Sequence, residues 1–211
     1  LHYRWSIPEN SAFARGEFAK YGFPWLPRFA GKVLTNPMAN RLQGYLDLLG
    51  VDDDTRPGVE ETVRILMDSL EDLLGSHDYV LGGRPCIGDF SLYGHLWSHL
   101  YRDPGSRFLF EERPRIVAWM ERIQAGGEVT GEFLKDDIVP DALDPLFACI
   151  LQDQWSWMRS LVEAIDNHCE SRPDAVRLPR SLGWSPYSIR GRTGRRKLAT
   201  FAQWKGQRVT G

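Results

Sequence analysis

The sequence predicts an all-α fold, a helical bundle, and three observations support that prediction. Apolar residues recur at spacings of three and four along several segments, as amphipathic helices require. Gly and Pro separate these segments by short links. No long stretch alternates between apolar and polar residues, and only short pieces near Val176 and Ile189 are compatible with strands. We therefore expect about five to seven helices and an extended C-terminal region.

Two helices are predicted near the start from the residues that begin and end them. Pro8 can open a helix that carries Phe18 and ends at Gly22. The next helix is expected to begin at Asn36-Pro37, with Asn as the N-cap and Pro at the first helical position. Its apolar residues continue at helical spacing until Gly50, which is a favourable terminator.

The clearest helical pattern runs from Thr55 to Gly75. Charged side chains occupy one face, and the other face is an apolar stripe. The stripe consists of Val59, Val63, Leu66, Met67, Leu70, Leu73 and Leu74. This spacing predicts a helix that packs one side against the core.

Four further helices are predicted towards the C-terminus. They cover Ile87 to Tyr101 as a buried helix, Pro114 to Ile123, Pro140 to Ile165, and a last short helix from Leu198 to Val209 that carries Phe201 and Trp204. Between the last two, the chain after Pro173 is expected to be irregular and basic.

The composition restricts the class of protein. Apolar residues make up 42% and charged residues 26%, which is typical of a soluble globular chain. No run approaches the roughly 18 to 20 apolar residues of a membrane span, so no membrane partner is expected. Cys86, Cys149 and Cys169 are scattered, which argues against a disulfide framework or a zinc site and predicts a cytoplasmic protein.

The charge is distributed unevenly along the chain. Residues 175–211 hold nine Lys or Arg and no Asp or Glu, whereas the remainder holds 17 basic and 28 acidic residues. Such a segment could contact phosphates, with Trp184, Tyr187 and Trp204 stacking on bases. Because the overall pI is near 6.2 rather than above about 9, nucleic-acid binding is not favoured. We favour a basic tail that folds onto the acidic body or contacts a subunit.

The segment from Tyr79 to Ile123 contains the most specific motif. It reads Y-V-L-G-G-R-P-C-I-G-D-F and, after an intervening loop, P-R-I-V-A-W-M-E-R from Pro114. This pattern resembles the C-terminal domain of glutathione S-transferases, where a G-x-x-P-s-x-A-D stretch opens a central buried helix and P-x-x-x-x-W-x-x-R marks the next helix. The resemblance implies a helical domain over residues 1–171, with a basic C-terminal extension, residues 172–211, packed on it.

The motif also predicts how the central helix begins. Cys86 occupies the N-cap position and Asp89 the third helical position, which together form a capping box. A sulfur is a weak hydrogen-bond acceptor, so the Cys86 half of the box is expected to be weakened. Both residues are interpreted as a structural cap rather than as catalytic groups.

The resemblance implies a function that this chain does not complete alone. Members of the family carry an N-terminal thioredoxin-like domain that binds glutathione and usually supplies the thiol-activating residue. No βαβ pattern is found here, and the chain lacks an initiator Met, so we expect a fragment that is inactive by itself. The helical domain would form the hydrophobic-substrate side of a conjugation, reduction or isomerisation site for a small electrophile, in a homodimer. No catalytic residue is assigned.

The resemblance also indicates which residues could line the substrate pocket. In the family, that pocket lies between the first helix of this domain and the central helix. Five residues fit these positions: Tyr3, Arg4, Trp5, Tyr93 and Trp97. For Tyr93 and Trp97, core packing is an equally good interpretation.

Three alternatives remain open. His95 and His99 share one helix face, but the Glu of an H-E-x-x-H motif is missing, so no metal site is predicted. Cys86 at a helix N-terminus could be nucleophilic, although a buried cap is the simpler interpretation. Finally, the chain could be a non-catalytic interaction module whose basic tail is the partner surface.

Overall fold

The computed structural model describes residues 1–127 and 130–202, and most of them are helical. The helical prediction is confirmed, but the all-α class is wrong in one respect, because the chain also forms a two-stranded sheet. The chain divides into two compact units, residues 1–43 with 63–146, and residues 44–62 with the chain from 147 onward. The predicted boundary after residue 171 falls inside the second unit. Within the described ranges, no helix is both long and apolar enough to cross a membrane.

The first unit contains most of the helices. They are α1 (His2–Ser6), α2 (Pro8–Gly22), α3 (Arg28–Gln43), the C-terminal part of α5 (Arg56–Leu73), α6 (Ile87–Leu96) and α7 (Pro114–Ala125). A π-helical turn (Trp97–Tyr101) extends α6, and a 3-10 helix (Pro104–Phe110) follows it. The predictions for α2, α5 and α7 are confirmed to within a few residues.

Helix α3 begins earlier than the sequence predicts. Asn36 and Pro37 lie inside it, and the helix starts at Arg28, where the Pro27 carbonyl accepts the Gly31 N–H at 3.1 Å. The Asn36 side chain is not an N-cap, because its Oδ1 accepts a hydrogen bond from Arg15 at 3.0 Å. Packing between α2 and α3 therefore overrides the local Asn-Pro signal.

The core of the first unit forms where α5, α6 and α7 meet. The apolar stripe of α5 supplies Met67 and Leu70, and α7 supplies Ile116 and Trp119, all fully buried. Helix α6 is less buried than predicted: Leu96 faces the core, but Ile87 is 85% exposed and Phe90 is 55% exposed. The prediction of a uniformly buried helix is thus wrong for its first turn.

The second unit is built around one long helix. It contains α4 (Tyr45–Leu48), the start of α5, the end of α8 (Asp144–Cys149), a π-helical turn (Ile150–Gln154) and α9 (Trp155–Ser171). The core consists of residues from α9 and from two strands: Trp157, Leu161, Ile165, Tyr187, Ile189 and Leu198. The predicted helix from Pro140 to Ile165 is therefore present but interrupted by the π turn.

The strands form an antiparallel hairpin, β1 (Ser181–Ile189) and β2 (Arg192–Ala199). Alternate side chains of β1 are buried, and the two loop residues, Arg190 and Gly191, have φ of 50° and 75°. Positive φ at both positions is the backbone geometry of a tight hairpin turn. The predicted helix from Leu198 is wrong at its start, because Leu198 lies in β2, but Thr200–Ala202 form a short 3-10 helix. Residues 203–209 of that prediction lie outside the described residues.

Candidate functional site

Asp89 organises the start of α6. Its carboxylate is fully buried and accepts hydrogen bonds from the backbone N–H groups of Cys86 at 2.9 Å and Val80 at 3.0 Å. The indole N–H of Trp119 on α7 donates a third bond at 2.9 Å. A buried carboxylate is tolerated when several donors surround it. Asp89 therefore joins the loop before α6, the first turn of α6 and α7.

Cys86 completes the capping box from the other side. Its side chain faces the backbone N–H of Asp89, while the Asp89 carboxylate takes the Cys86 N–H. Burial is the main cause that raises the pKa of the Cys86 thiol. The hydrogen bond with the Asp89 backbone lowers this pKa, and the one with the Asp89 side chain raises it. A raised pKa keeps the sulfur protonated near neutral pH, which disfavours the nucleophilic interpretation.

Arg4 forms a buried ion pair that the sequence does not reveal. Its guanidinium donates to both oxygens of the fully buried Asp103 carboxylate, at 2.8 and 2.7 Å, and also to the Ser98 carbonyl. Two parallel bonds of this kind hold both groups in a fixed geometry. Arg4 is thus fully engaged within the protein, next to the π turn.

The other predicted pocket residues lie in two places. Tyr3 is buried in the first-unit core, against which Tyr93 and Trp97 pack. The rings of Tyr93 and Trp97 stack with centroids 6.1 Å apart. Trp5 is buried separately and faces Phe18, with ring centroids 6.1 Å apart. The structure therefore brings Tyr3, Tyr93 and Trp97 together and places Trp5 beside α2.

Asn10 is a buried polar residue that sequence reasoning missed. Its side-chain amide donates to the Tyr3 carbonyl at 2.9 Å and to the Ser106 hydroxyl at 2.7 Å, and its carbonyl accepts the Gly105 N–H at 2.7 Å. No local signal marks it, because Asn10 is the third residue of α2 and not its N-cap, which is Ile7. It ties α1 and α2 to the segment after α6.

His95 and His99 lie side by side, with ring centroids 6.1 Å apart. Burial, followed by the nearby charge of Arg4, lowers the pKa of His99 from 6.5 to about 4. The His95 Nδ1 atom contacts the Ser91 carbonyl at 2.9 Å. Among residues 1–127 and 130–202, no group of three or more metal-binding side chains is found. His99 is therefore a half-buried imidazole that stays neutral near pH 7, beside the exposed His95.

Two large apolar side chains, Ile87 and Phe90, are exposed at the start of α6, and we call this pair the α6 strip. The exposed residues that follow, Ser91, Gly94 and His95, are small or polar. Large exposed apolar residues next to one another are uncommon on a soluble surface. Phe90 directly follows the buried Asp89, so the hydrogen bonds of Asp89 also fix the position of this strip.

The basic hairpin has two chemically different faces. On the buried face, Arg196 lies over the Trp157 ring with its guanidinium carbon 4.1 Å from the ring centroid, and it donates to Gln154 at 2.7 Å. On the outer face, Arg195 and Lys197 lie over Trp184 at 4.8 and 5.6 Å. Cations therefore already cover this indole, which leaves it less available for stacking on a base.

The family comparison agrees with the motif. A family model described as "Glutathione S-transferase, C-terminal domain" matches residues 53–122, which span α5, α6 and most of α7. The resemblance inferred from the motif is thus confirmed for this segment. No curated protein and no solved structure matches the chain.

Proposed function

We propose that this chain is the helical half of a glutathione transferase-like protein and forms the hydrophobic-substrate side of a glutathione-dependent site. A thioredoxin-like domain would bind glutathione and activate its thiol. The helical domain would hold a small hydrophobic electrophile for conjugation, reduction or isomerisation, in a cytoplasmic homodimer. Support comes from the family match over residues 53–122 and from the helices of that segment.

The exposed apolar strip of α6 carries this proposal. Ile87 and Phe90 leave most of their surface in solvent, although they occupy the first turn of the central helix. Burying such side chains against another domain would stabilise the contact by about 1.5 to 3 kcal/mol each. We therefore place the thioredoxin-like domain against this strip.

The chemistry of the described residues fits a supporting role. The Cys86 thiol has a raised pKa, and the Arg4 guanidinium is committed to Asp103, so neither is suited to activate the thiol of glutathione. Half-buried aromatic rings are suitable walls for an apolar ligand. In this proposal Tyr93 and Trp97 form the wall, Tyr3 packs in the core behind it, and Arg4 holds the adjoining π turn, while Trp5 lies apart beside α2.

Isothermal titration of glutathione and S-hexylglutathione tests the proposal. Both ligands should be titrated into this chain and into the full-length gene product. We expect binding by the full-length gene product and none by this chain, because the thiol site would lie in the other domain. Failure of both ligands to bind the gene product would contradict the transferase proposal.

A pair of variants tests the placement of the second domain. Phe90→Asp in the full-length gene product should weaken S-hexylglutathione binding by at least about tenfold, because a charge would be buried at the domain contact. Ala118→Asp, at an exposed position on α7, is the matched control and should bind normally. Equal affinities for the two variants would show that the α6 strip does not contact the glutathione-binding domain.

A second candidate function is a non-catalytic interaction module that binds through the hairpin. The charge of the hairpin favours it, since Arg192 and Arg195 are both exposed. Pull-downs with the chain and with an Arg192→Glu/Arg195→Glu double variant would test it. A partner captured equally by both forms would contradict this alternative.

A further inference from the structure

Helix α3 has an unusual distribution of side-chain sizes. Its buried face is made of small residues, Gly31, Thr35 and Ala39, and a Cβ on Gly31 would lie only 3.1 Å from the Ala19 side chain of α2. Its large apolar side chains point to solvent instead. With Tyr21 at the end of α2 and Trp25 in the connecting loop, six residues have half or more of their surface exposed: Tyr21, Trp25, Phe29, Val33, Leu34 and Met38.

These six residues, which we call the α3 patch, cannot be explained by the packing of the first unit. The small-residue face already satisfies the contact with α2. Single exposed apolar residues are ordinary, but six of them between residues 21 and 38, four of these on one helix, mark an interaction surface. Trp25 lies at its tip, between Pro24 and Pro27, where the chain turns from α2 into α3.

The charge around the α3 patch has one sign. From Phe18 to Leu46 the chain contains Lys20, Arg28, Lys32 and Arg41 and no Asp or Glu, although acids outnumber bases in the whole chain. All four of these basic residues are exposed. Basic residues beside a helix face rich in Trp, Phe and aliphatic residues are typical of a helix that lies in the membrane–water interface.

We propose that the α3 patch binds the surface of an anionic lipid bilayer. The apolar side chains would enter the boundary between headgroups and acyl chains, with the Trp25 indole at headgroup level. The aliphatic parts of Arg28 and Lys32 would extend along the apolar surface, with their charges directed at lipid phosphates. Surface attachment requires no membrane span, so it is compatible with the absence of one among the described helices.

The chemistry favours a lipid surface over a protein partner. Protein interfaces typically combine an apolar centre with a rim of both charge signs. The charged residues in the segment that carries the α3 patch, residues 18–46, are all positive, which complements a continuous negative surface. This inference concerns α3 and does not depend on the glutathione-binding proposal, which concerns α6.

Vesicle co-sedimentation tests the proposal on the full-length gene product and on this chain. Phosphatidylcholine vesicles should be compared with vesicles that also contain phosphatidylglycerol. We expect at least about tenfold stronger binding to the anionic vesicles, and we expect added salt to weaken that binding. Equal binding to both vesicle types, or no binding by the full-length gene product, would overturn the proposal.

Three variants locate the binding surface. Phe29→Asp should abolish sedimentation with anionic vesicles, and Lys32→Glu should weaken it several-fold, while circular dichroism stays unchanged because both positions are exposed. Val176→Asp, at a fully exposed position after α9, is the matched control and should bind like the unmodified protein. Retained vesicle binding by Phe29→Asp would overturn the proposal. A change from dimer to monomer in that variant, with vesicle binding unaltered, would assign the α3 patch to contact between copies instead.

Discussion

The two units bury a charged group in opposite ways. In the first unit, the Asp89 carboxylate is neutralised by three N–H donors, two of them from the backbone within nine residues in sequence. In the second unit, the Arg196 guanidinium lies between the rings of Trp157 and Tyr187 and donates to Gln154. Asp89 is held mainly by backbone N–H groups close to it in sequence. Arg196 is held by side chains that are either about forty residues earlier, Gln154 and Trp157, or across the hairpin, Tyr187. A short motif therefore encodes the first arrangement, whereas the second exists only after folding.

The largest expected effect is at Asp89. Asp89→Ala would leave three buried donors without a partner, so we expect it to lower the free energy of unfolding by about 4 kcal/mol. Urea denaturation followed by circular dichroism measures this change. Glu121→Ala, at an exposed position on α7, is the control and should change stability little. Similar stabilities for the two variants would mean that Asp89 does not organise the first unit.

The second unit can be tested at its closest backbone approach. A Cβ on Gly58 of α5 would lie 2.5 Å from the Ile189 carbonyl oxygen of β1, so Gly58→Ala should destabilise the protein by about 2 kcal/mol. In a helix without such a contact, the same change stabilises by up to about 1 kcal/mol.

Gly94 supplies the matched comparison for Gly58. It lies within α6, and no atom is found within 4 Å of a Cβ built there, so Gly94→Ala should raise the melting temperature. Opposite signs for the two substitutions are therefore expected in a thermal melt. A stabilising Gly58→Ala would show that α5 and β1 are not in close contact.

Arg196 tests the buried cation directly. Burial lowers the pKa of its guanidinium, but the group stays charged and gains from the aromatic faces around it. Arg196→Ala should cost about 2 kcal/mol of stability, through loss of both packing and the cation–π contacts. Arg195→Ala, one residue earlier on the outer face, should cost less than about 1 kcal/mol. Chemical denaturation of the two variants should therefore separate the two faces of β2.

The smallest expected effect is the pH dependence from His99. Its pKa in the folded protein is about 4, below the usual 6.5, so the unfolded chain binds a proton more readily. Stability from this group is present above about pH 6.5 and is lost as the pH falls towards 4. The melting temperature of His99→Gln should therefore fall less over this window than that of the unmodified protein. Equal falls for the two proteins would contradict the lowered pKa of His99.

The sequence predicts elements whose signals are local. Helix α5 follows from its apolar stripe, and the role of Asp89 follows from its spacing to Cys86. The hairpin was not predicted, because its turn is Arg190-Gly191 rather than a typical Asn-Gly, and its stability comes from contacts with α9. The predicted start of α3 was wrong, because packing between α2 and α3 outweighed the Asn36-Pro37 cap signal. The Arg4–Asp103 pair joins residues 99 positions apart, which no local pattern can reveal.

The aromatic stack along α6 gives the first unit an internal optical reporter. Trp97 lies between Tyr93 and Tyr101, with centroid distances of 6.1 and 5.2 Å and planes within 25° of parallel. Tyr101 takes part because the π turn holds the end of α6 in this register. Fixed, asymmetric ring environments produce near-ultraviolet circular dichroism, which vanishes when packing loosens. The difference spectrum between the protein and Trp97→Phe would therefore follow the melting of the first unit separately from the indoles of the second.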